Sequence, residues 1–257
     1  MINFLKDVVN ILIEYKGYFL QGIGYTMLIA LTGTIIGLLI GLITGVIRTI
    51  PKSKNSLLNG ILKVVNAIIG IYVEVFRGTP MMVQSMVIFW GYAFMNDGQT
   101  LPLIPAGIFI VSINTGAYMA EIVRGGIISI DKGQFEGSYS IGMNHFQTML
   151  YVVIPQAIRN ILPAISNEFV INIKDTSVLN VIGVTELFFF TAKISKMNWA
   201  IFETYVVACV IYFILTFTIT RILRYIEQCL DGPSAYLLHH SSTLPDESFV
   251  VNKEERP

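Results

Sequence analysis

The stretch GYFLQGIGYTMLIALTGTIIGLLIGLITGVI, residues 17–47, contains no Asp, Glu, Lys or Arg. A helix of about 20 apolar residues is long enough to cross the hydrocarbon core of a bilayer. Glycine recurs at every fourth position within the stretch, at Gly33, Gly37, Gly41 and Gly45. These glycines form one smooth stripe along a helix, to which another helix can pack closely. The stretch therefore predicts a membrane-spanning helix from about Ile23.

The composition of the whole chain supports a membrane protein. Of the 257 residues, 54% are hydrophobic and 13% are charged, whereas about 25% are charged in an average soluble domain. A soluble domain of this size could not bury so much apolar surface, so lipid must be one of its solvents. Lys plus Arg and Asp plus Glu both number 17, and this balance argues against nucleic acid as a partner.

Four further apolar stretches follow the first one. They cover about residues 57–95, 98–120, 151–185 and 199–220. The first of these four is interrupted by Arg77-Gly78-Thr79-Pro80, and the third contains charged residues that only a helix buried among other helices could hold. We therefore expect an all-α integral membrane protein with about five transmembrane helices.

Basic residues predict how these helices are oriented. With the amino terminus outside, the inside segments contain Arg48, Lys52, Lys54, Lys63, Arg124, Lys132, Arg221 and Arg224, and the outside segments contain Lys6, Lys16, Lys193 and Lys196. Lys and Arg favour the cytoplasmic side of a membrane. We therefore expect the amino terminus outside and the carboxyl terminus in the cytoplasm.

The two ends of the chain differ from its middle. In residues 1–19, apolar residues on one helical face, such as Leu5 and Leu12, predict a short helix at the membrane surface. Residues 231–257 are acidic and contain three prolines, Pro233, Pro245 and Pro257. We expect them to form a mobile cytoplasmic tail beyond a transmembrane domain that covers residues 20–230.

The most specific pattern lies in the polar section before the fourth span. Glu136-Gly137-Ser138 is followed after three residues by Gly142, and Val152-Val153-Ile154-Pro155 begins nine residues later. This spacing resembles the cytoplasmic EAA loop of ABC-importer permeases, which reads EAA, three residues, Gly, nine residues, then I-x-L-P. Gly137 and Ser138 replace the two alanines, and Gly137 makes the local helix less secure.

Other stretches resemble the polar amino-acid branch of that family, which includes histidine-, glutamine- and arginine-type permeases. They are GAYMAEIVRGGI at 116–127, GQFE at 133–136, FRGTP at 76–80 with Gln84, PQAIR at 155–159 and KDTS at 174–177. The resemblance covers about residues 20–230. It implies a type I ABC importer permease in the bacterial plasma membrane, dimeric with itself or with a similar chain.

The resemblance also implies the partners and the mechanism. An external solute-binding protein would deliver an L-amino acid, and separate ABC ATPase subunits would bind ATP and Mg and drive alternating access. The chain has no G-x-x-x-x-G-K-[ST] loop of its own for the phosphates. A cytoplasmic coupling loop, about residues 124–150, would transmit the force, with Glu136, Gly137, Ser138, Gly142 and Pro155 as the coupling residues.

The sequence shows no catalytic or metal-binding constellation, so an enzyme is not expected. The alternative function is a secondary transporter or a channel for small polar solutes. Such a protein would need no ATPase, and inverted repeats with a proton- or sodium-coupling acid would support it. The sequence shows no convincing internal repeat.

Candidate substrate contacts come from the membrane interior. The break at Gly78-Thr79-Pro80 frees backbone groups, and these are tolerated only where protein or a water-filled cavity satisfies them. Thr79 and Gln84 could hydrogen-bond an amino acid, and Arg77 could attract its carboxylate. Alternatively, Arg77 pairs with Glu74 at a structural kink.

Polar residues in the fourth apolar stretch are a second source of candidates. Asn167 and Glu168 lie among apolar residues, where an ionisable group is costly and suggests a function or a partner. Glu168 could meet the ammonium group of a substrate, particularly a basic one. Alternatively, it pairs with Lys174 or Arg159 inside the bundle.

Two further charged pairs are interpreted as structural. Lys174 and Asp175 are adjacent and predict a structural pair or an interface contact. Glu121 and Arg124 are three positions apart on one predicted helix, so a local ion pair is expected.

Overall fold

A computed structural model of the chain describes residues 2–51 and 55–231. All regular elements in these ranges are helical. The helices are α1 (Ile2–Glu14), α2 (Lys16–Ile47), α3 (Ser56–Gly78), α4 (Met81–Met95), α5 (Leu103–Ile128), α6 (Lys132–Ser140), α7 (His145–Thr148), α8 (Ile154–Asp175), α9 (Leu187–Asn198) and α10 (Ile201–Asp231). The predicted mobile tail, except for the backbone of Asp231, lies outside the described residues.

Five helical segments are long and apolar enough to cross a membrane. They are Lys16–Ile47, Ser56–Gly78, Leu103–Ile128, His145–Ile182 and Ile201–Leu230. The fourth joins α7 to α8 through a π-helical turn, Met149–Val153, and continues into a 3₁₀ helix, Thr176–Ile182. Within the described part of the chain, the predicted number of five spans is confirmed.

The helices extend beyond the apolar stretches that predicted them. The first span begins at Lys16 rather than near Ile23, and the last one continues past Thr220. Hydropathy indicates where lipid surrounds a helix, whereas the backbone hydrogen bonds continue into the interface and into water. The part of each helix that lies within the membrane is therefore shorter than the whole helix.

The glycine stripe of α2 packs against α5, as predicted. A Cβ atom added at Gly37 would lie 2.7 Å from Thr115 Cβ, and one added at Gly45 would lie 2.8 Å from Val123 Cβ. These distances are too short for two carbon atoms, so only glycine allows the two backbones to approach this closely. α2 and α5 thus form the closely packed centre of the bundle.

The predicted helix break separates α3 from α4. Thr79 is extended, with φ −123° and ψ 148°, and α4 begins directly after Pro80. The residue before a proline is disfavoured in the helical conformation, because the proline ring clashes with its backbone. The break therefore follows from the local sequence.

A buried acid that the sequence analysis did not consider joins α9 to α10. The carboxylate of Glu186 caps α9 by accepting hydrogen bonds from Phe188 N (2.9 Å) and Phe189 N (2.7 Å), and it also accepts one from the Tyr212 hydroxyl at 3.0 Å. Burial raises the pKa of the Glu186 carboxyl above its ordinary value, and the hydrogen bonds from these donors offset part of that rise. The three hydrogen bonds make the burial of this group tolerable.

α8 lies between two parts of the bundle. It packs against α5 and α2 on one side and against α10 on another. Side chains on different faces of α8 therefore border different spaces, and this decides which predicted residues meet.

Candidate functional site

A cavity of about 290 Å³ lies beside the break between α3 and α4. Its walls come from the break, from α5 and from α8. The lining residues are Thr79, Pro80, Met81, Asn114, Tyr118, Glu168, Ile171, Asn172 and Asp175. Two residues predicted for the substrate pathway, Thr79 and Glu168, are thus brought to one cavity by the packing of α8 beside the break.

Two carboxylates line this cavity, those of Glu168 and Asp175. They are seven positions apart, or about two helical turns, and therefore lie on one face of α8. Both side chains are half-buried. The ion pairs found among the described residues involve neither of them, so the alternative pairing of Glu168 with Lys174 or Arg159 is not formed.

The lining of the cavity contains no lysine or arginine to neutralise these two acids. Unpaired acids inside a membrane span are costly, and they usually face a water-filled space or a functional partner. Lys174 and Asp175 were predicted to form a structural pair or an interface contact, and no ion pair joins them in the described part of the chain. The cavity is therefore suited to a positively charged group.

Arg77 lies beside the cavity. Its guanidinium carbon is 5.5 Å from the centre of the Tyr118 ring, which lines the cavity. Such a cation–π contact holds the charge in place without neutralising it. Arg77 and Glu74 are both exposed, and the ion pairs of the described residues do not include them. The alternative pairing of Arg77 with Glu74 is therefore not formed.

Gln84 supports the break from inside the bundle. Its side-chain nitrogen donates to the carbonyl oxygens of Phe76 and Thr79, each at 2.9 Å, and its side-chain oxygen accepts from Asn114 Nδ2 at 2.8 Å. These carbonyls have no partner within α3, because the helix ends there. Gln84 is buried and does not line the cavity. Its amide thus holds the cavity wall, and a direct contact with substrate stays a prediction.

Asn172 joins the cavity to the packed centre of the bundle. It is buried, lines the cavity, and donates from Nδ2 to Thr34 Oγ1 at 2.8 Å and to Thr115 Oγ1 at 3.0 Å. These bonds connect α8 to α2 and α5. The sequence analysis did not single out Asn114 or Asn172, although a polar amide within an apolar span was a signal that could have identified both.

Asn167 borders a different space from Glu168. It lines a groove of about 250 Å³ between α8 and α10, together with residues that include Ser166, Thr220 and Arg224. Consecutive residues of a helix point about 100° apart, so neighbours in sequence need not share a face. The structure therefore separates these two predicted pathway residues.

The predicted coupling residues surround α6. Glu136 and Gly137 are exposed, whereas Ser138 is buried and its hydroxyl donates to the Gln134 carbonyl at 2.6 Å. Gly142 has a φ of +84°, a conformation that favours glycine, and it ends this short helix with a tight turn. Pro155 is the second residue of α8, which directly follows the π-helical turn Met149–Val153, an irregularity of the kind that accompanies a proline within a helix.

Large apolar side chains next to this turn are exposed. The exposed fractions are 75% for Ile141, 71% for Phe146 and 46% for Tyr139. They lie close to Glu136 in the sequence, in the section from α6 to α7. An exposed apolar group of this kind is typical of a protein–protein contact surface.

An ion cluster fastens α2 to α5 shortly before the coupling loop. Glu121 Oε2 accepts from Arg124 Nε at 3.1 Å and Nη2 at 2.9 Å, and Glu121 Oε1 accepts from Arg48 Nη1. The predicted pair of Glu121 and Arg124 is confirmed. Arg48, near the end of α2, was not predicted to join it, because its distance from Glu121 depends on helix packing.

Sequence comparisons identify related proteins. The family described as binding-protein-dependent transport system inner membrane component matches residues 37–230. The L-cystine transport system permease protein TcyB of Bacillus subtilis is 41% identical over 165 residues, which are 64% of this chain and 70% of that protein. The glutamine transport system permease protein GlnP of Escherichia coli is 36% identical over 165 residues, which are 64% of this chain and 75% of that protein.

Solved structures share the arrangement of helices. A structure described as an amino acid ABC transporter with histidines matches with a TM-score of 0.72 and 35% identity, over 84% of this chain and 96% of that chain. An inward-facing MetNI methionine ABC transporter matches with a TM-score of 0.69 and 19% identity, over 84% of this chain and 97% of that chain. The second likeness concerns the fold alone.

Proposed function

Because this chain belongs to the family of binding-protein-dependent transport system inner membrane components, as a permease subunit of an amino-acid ABC importer, we propose that it moves an L-amino acid into the cytoplasm by alternating access. It is a multi-pass protein of the inner membrane, not an enzyme. We propose that ABC ATPase subunits, which bind ATP and Mg, power it, and that an external solute-binding protein feeds it. The amino terminus lies outside in this proposal.

The observation that supports a substrate site best is the cavity that brings Thr79 to Glu168. At about 290 Å³, it is just below the range of about 300–1,000 Å³ for ligand pockets. The ammonium group of an amino acid would face Glu168 and Asp175. Its carboxylate would face Arg77, beside Thr79, whose hydroxyl donates to the Val75 carbonyl oxygen at 2.7 Å. Two acids beside one arginine favour a substrate with a basic side chain.

A second permease copy would complete the pathway. Glu74 and Arg77 are exposed on α3 within a predicted span, and charged groups in contact with lipid are costly. A water-filled pathway between two copies, alike or similar, would hydrate them. We therefore place the side of α3 that carries them toward the partner copy.

The coupling loop would pass the force of ATP binding to the cavity. The carboxylate of Glu136 would pair with a basic group of the ATPase, and Ile141 and Phe146 would anchor the apolar part of the contact. The loop continues through α7 into α8, which begins beside Pro155 and carries Glu168 and Asn172. A push on the loop would therefore move one wall of the cavity.

Substitution of Glu168 by glutamine tests the substrate site. In vesicles that contain the permease, its ATPase and its binding protein, we expect Glu168→Gln to lower the uptake of a basic amino acid by about tenfold, because the loss of a charged hydrogen bond costs about 1.5–3 kcal/mol. Glu203→Gln in α10, outside the cavity, should leave uptake unchanged.

Equal uptake by the Glu168→Gln variant and by the unchanged protein would remove Glu168 from the pathway. Uphill uptake by the chain reconstituted alone, with no ATPase subunit, would instead favour the alternative function, a secondary transporter or channel. The same vesicles serve for both measurements.

A further inference from the structure

A continuous groove separates α8 from α10. One part has a volume of about 250 Å³ and contains Asn167, and an adjoining part has a volume of about 280 Å³ and contains Lys174. The two parts share Val170, Thr220 and Arg224, so they are sections of one groove. The cavity at Glu168 does not share any of these residues. The function proposed above therefore leaves this groove without a role.

Three cations that form no ion pair among the described residues line the groove. Lys174, Arg221 and Arg224 contribute three positive charges, and Glu227 contributes the single carboxylate of the lining. The ion pairs among the described residues include none of these four. The Arg221 guanidinium carbon lies 5.0 Å from the centre of the Phe217 ring, which leaves its charge unneutralised. The groove is therefore complementary to an anion.

Two of the cations, Arg221 and Arg224, lie where the apolar part of α10 ends. Between residues 204 and 220 this helix has no charged residue, and Arg221 and Arg224 follow directly. Arginine at such a position places its guanidinium at the membrane–water interface while its carbon chain stays in apolar surroundings. The anion is therefore expected at the level of the lipid phosphates.

The part of the groove further from this end contains two aromatic rings beside Lys174. Phe213 and Phe217 line it, with exposed fractions of 65% and 50%, and Val170 faces them from α8. A free phosphate ion would gain nothing from these side chains. A molecule with a phosphate at one end and a hydrocarbon chain at the other matches both the charges and the aromatic wall.

We propose that the groove between α8 and α10 binds an anionic phospholipid. Its phosphate lies between Arg221 and Arg224, with the Asn167 amide as a further hydrogen-bond donor, and an acyl chain follows Phe213 and Phe217. α8 carries Glu168 on another face, so the lipid packs behind the helix that forms a wall of the substrate cavity. Occupancy of the groove thus restricts the movement of α8.

Lipid retention tests this site. The permease is purified with its ATPase in mild detergent, titrated with phosphatidylglycerol, and measured by native mass spectrometry. In the double variant Arg221→Gln and Arg224→Gln, we expect about 25-fold weaker binding, since each basic residue contributes a factor of about five. The matched variant Lys193→Gln and Lys196→Gln in α9 loses the same charge and should bind as the unchanged protein does.

Three outcomes would overturn the proposal. The first is equal phosphatidylglycerol binding by the two double variants, provided that both keep the ATPase in the same spectra. The second is displacement of the lipid by inorganic phosphate, which would identify a free anion as the ligand. The third is a disulfide between two copies of a Thr220→Cys variant with Cys209 and Cys229 replaced by serine, because a second copy would then cover the groove.

Discussion

The side-chain amide of Gln84 connects the helix break to α5 through hydrogen bonds. Without these bonds, the same polar groups would be open to a substrate. The Gln84 nitrogen donates to the carbonyl oxygens of Phe76 and Thr79, and its oxygen accepts from Asn114 Nδ2. Asn114 lines the cavity beside the break and Gln84 does not. At the residue scale, the wall of the cavity is thus set by amides that satisfy the broken backbone.

We expect Gln84→Glu to destabilise the protein, because it removes the donor and places a carboxylate beside two carbonyl oxygens. A buried group left without its partner costs about 1–3 kcal/mol. The change should lower the melting temperature of the detergent-solubilised protein by several degrees. Gln99→Glu, in the exposed turn after α4, is the control and should melt as the unchanged protein does. Equal melting temperatures for both variants would show that the Gln84 bonds contribute little.

Asn167 and Glu168 show why sequence adjacency misleads at this scale. Both are polar residues within one apolar stretch, and the sequence analysis placed both in the substrate pathway. Glu168 lines the cavity beside the break, whereas Asn167 lines the groove toward α10. Their separation depends on which helices pack on each face of α8, and the composition of the stretch contains no such information.

At the scale of the elements, α2 and α5 form a pair that resists separation. The glycines of α2 allow close backbone contact along the pair, and the cluster of Glu121 with Arg48 and Arg124 fastens it at one end. α5 leads into the polar section that contains α6. In the proposed function, a force on this section would reach a rigid pair of helices rather than one flexible helix.

Gly37→Val tests this packing. The added side chain would overlap with Thr115 on α5, and overpacking of this kind costs about 1–3 kcal/mol or more. We expect a lower melting temperature and a lower yield of monodisperse protein in size-exclusion chromatography. Gly24→Val, on the same helix with no atom within 4 Å of the added carbon, should have little effect. If the two valine variants behave alike, close packing at Gly37 is not essential.

At the scale of the whole molecule, the exposed surface of the coupling loop predicts where the ATPase binds. Glu136→Lys reverses the charge of the proposed anchor without affecting the buried Ser138. We expect less ATPase to co-purify with the variant in mild detergent and uptake to fall in parallel, because like charges would then face each other. Glu14→Lys, an exposed acid of α1, should retain the ATPase. Full co-purification and uptake by the Glu136→Lys variant would contradict the assignment of this loop.

The amino-acid sequence by itself determined that the chain lies in a membrane, that it crosses it with five helices, and that α3 and α4 are separated at Pro80. It also determined the family, through the spacing from Glu136 to Pro155. These properties depend on the length of apolar runs, on local backbone sterics and on distances along the chain, all of which can be read from consecutive residues.

Only the tertiary structure decided which side chains meet. Packing placed Asp175 and Asn172 beside Glu168, brought Arg48 to Glu121, and left Arg224 of α10 facing Asn167. Each of these neighbourhoods depends on the rotation and the depth of one helix relative to another. Many side chains along a whole helix face determine that rotation together, so no short stretch of sequence specifies it.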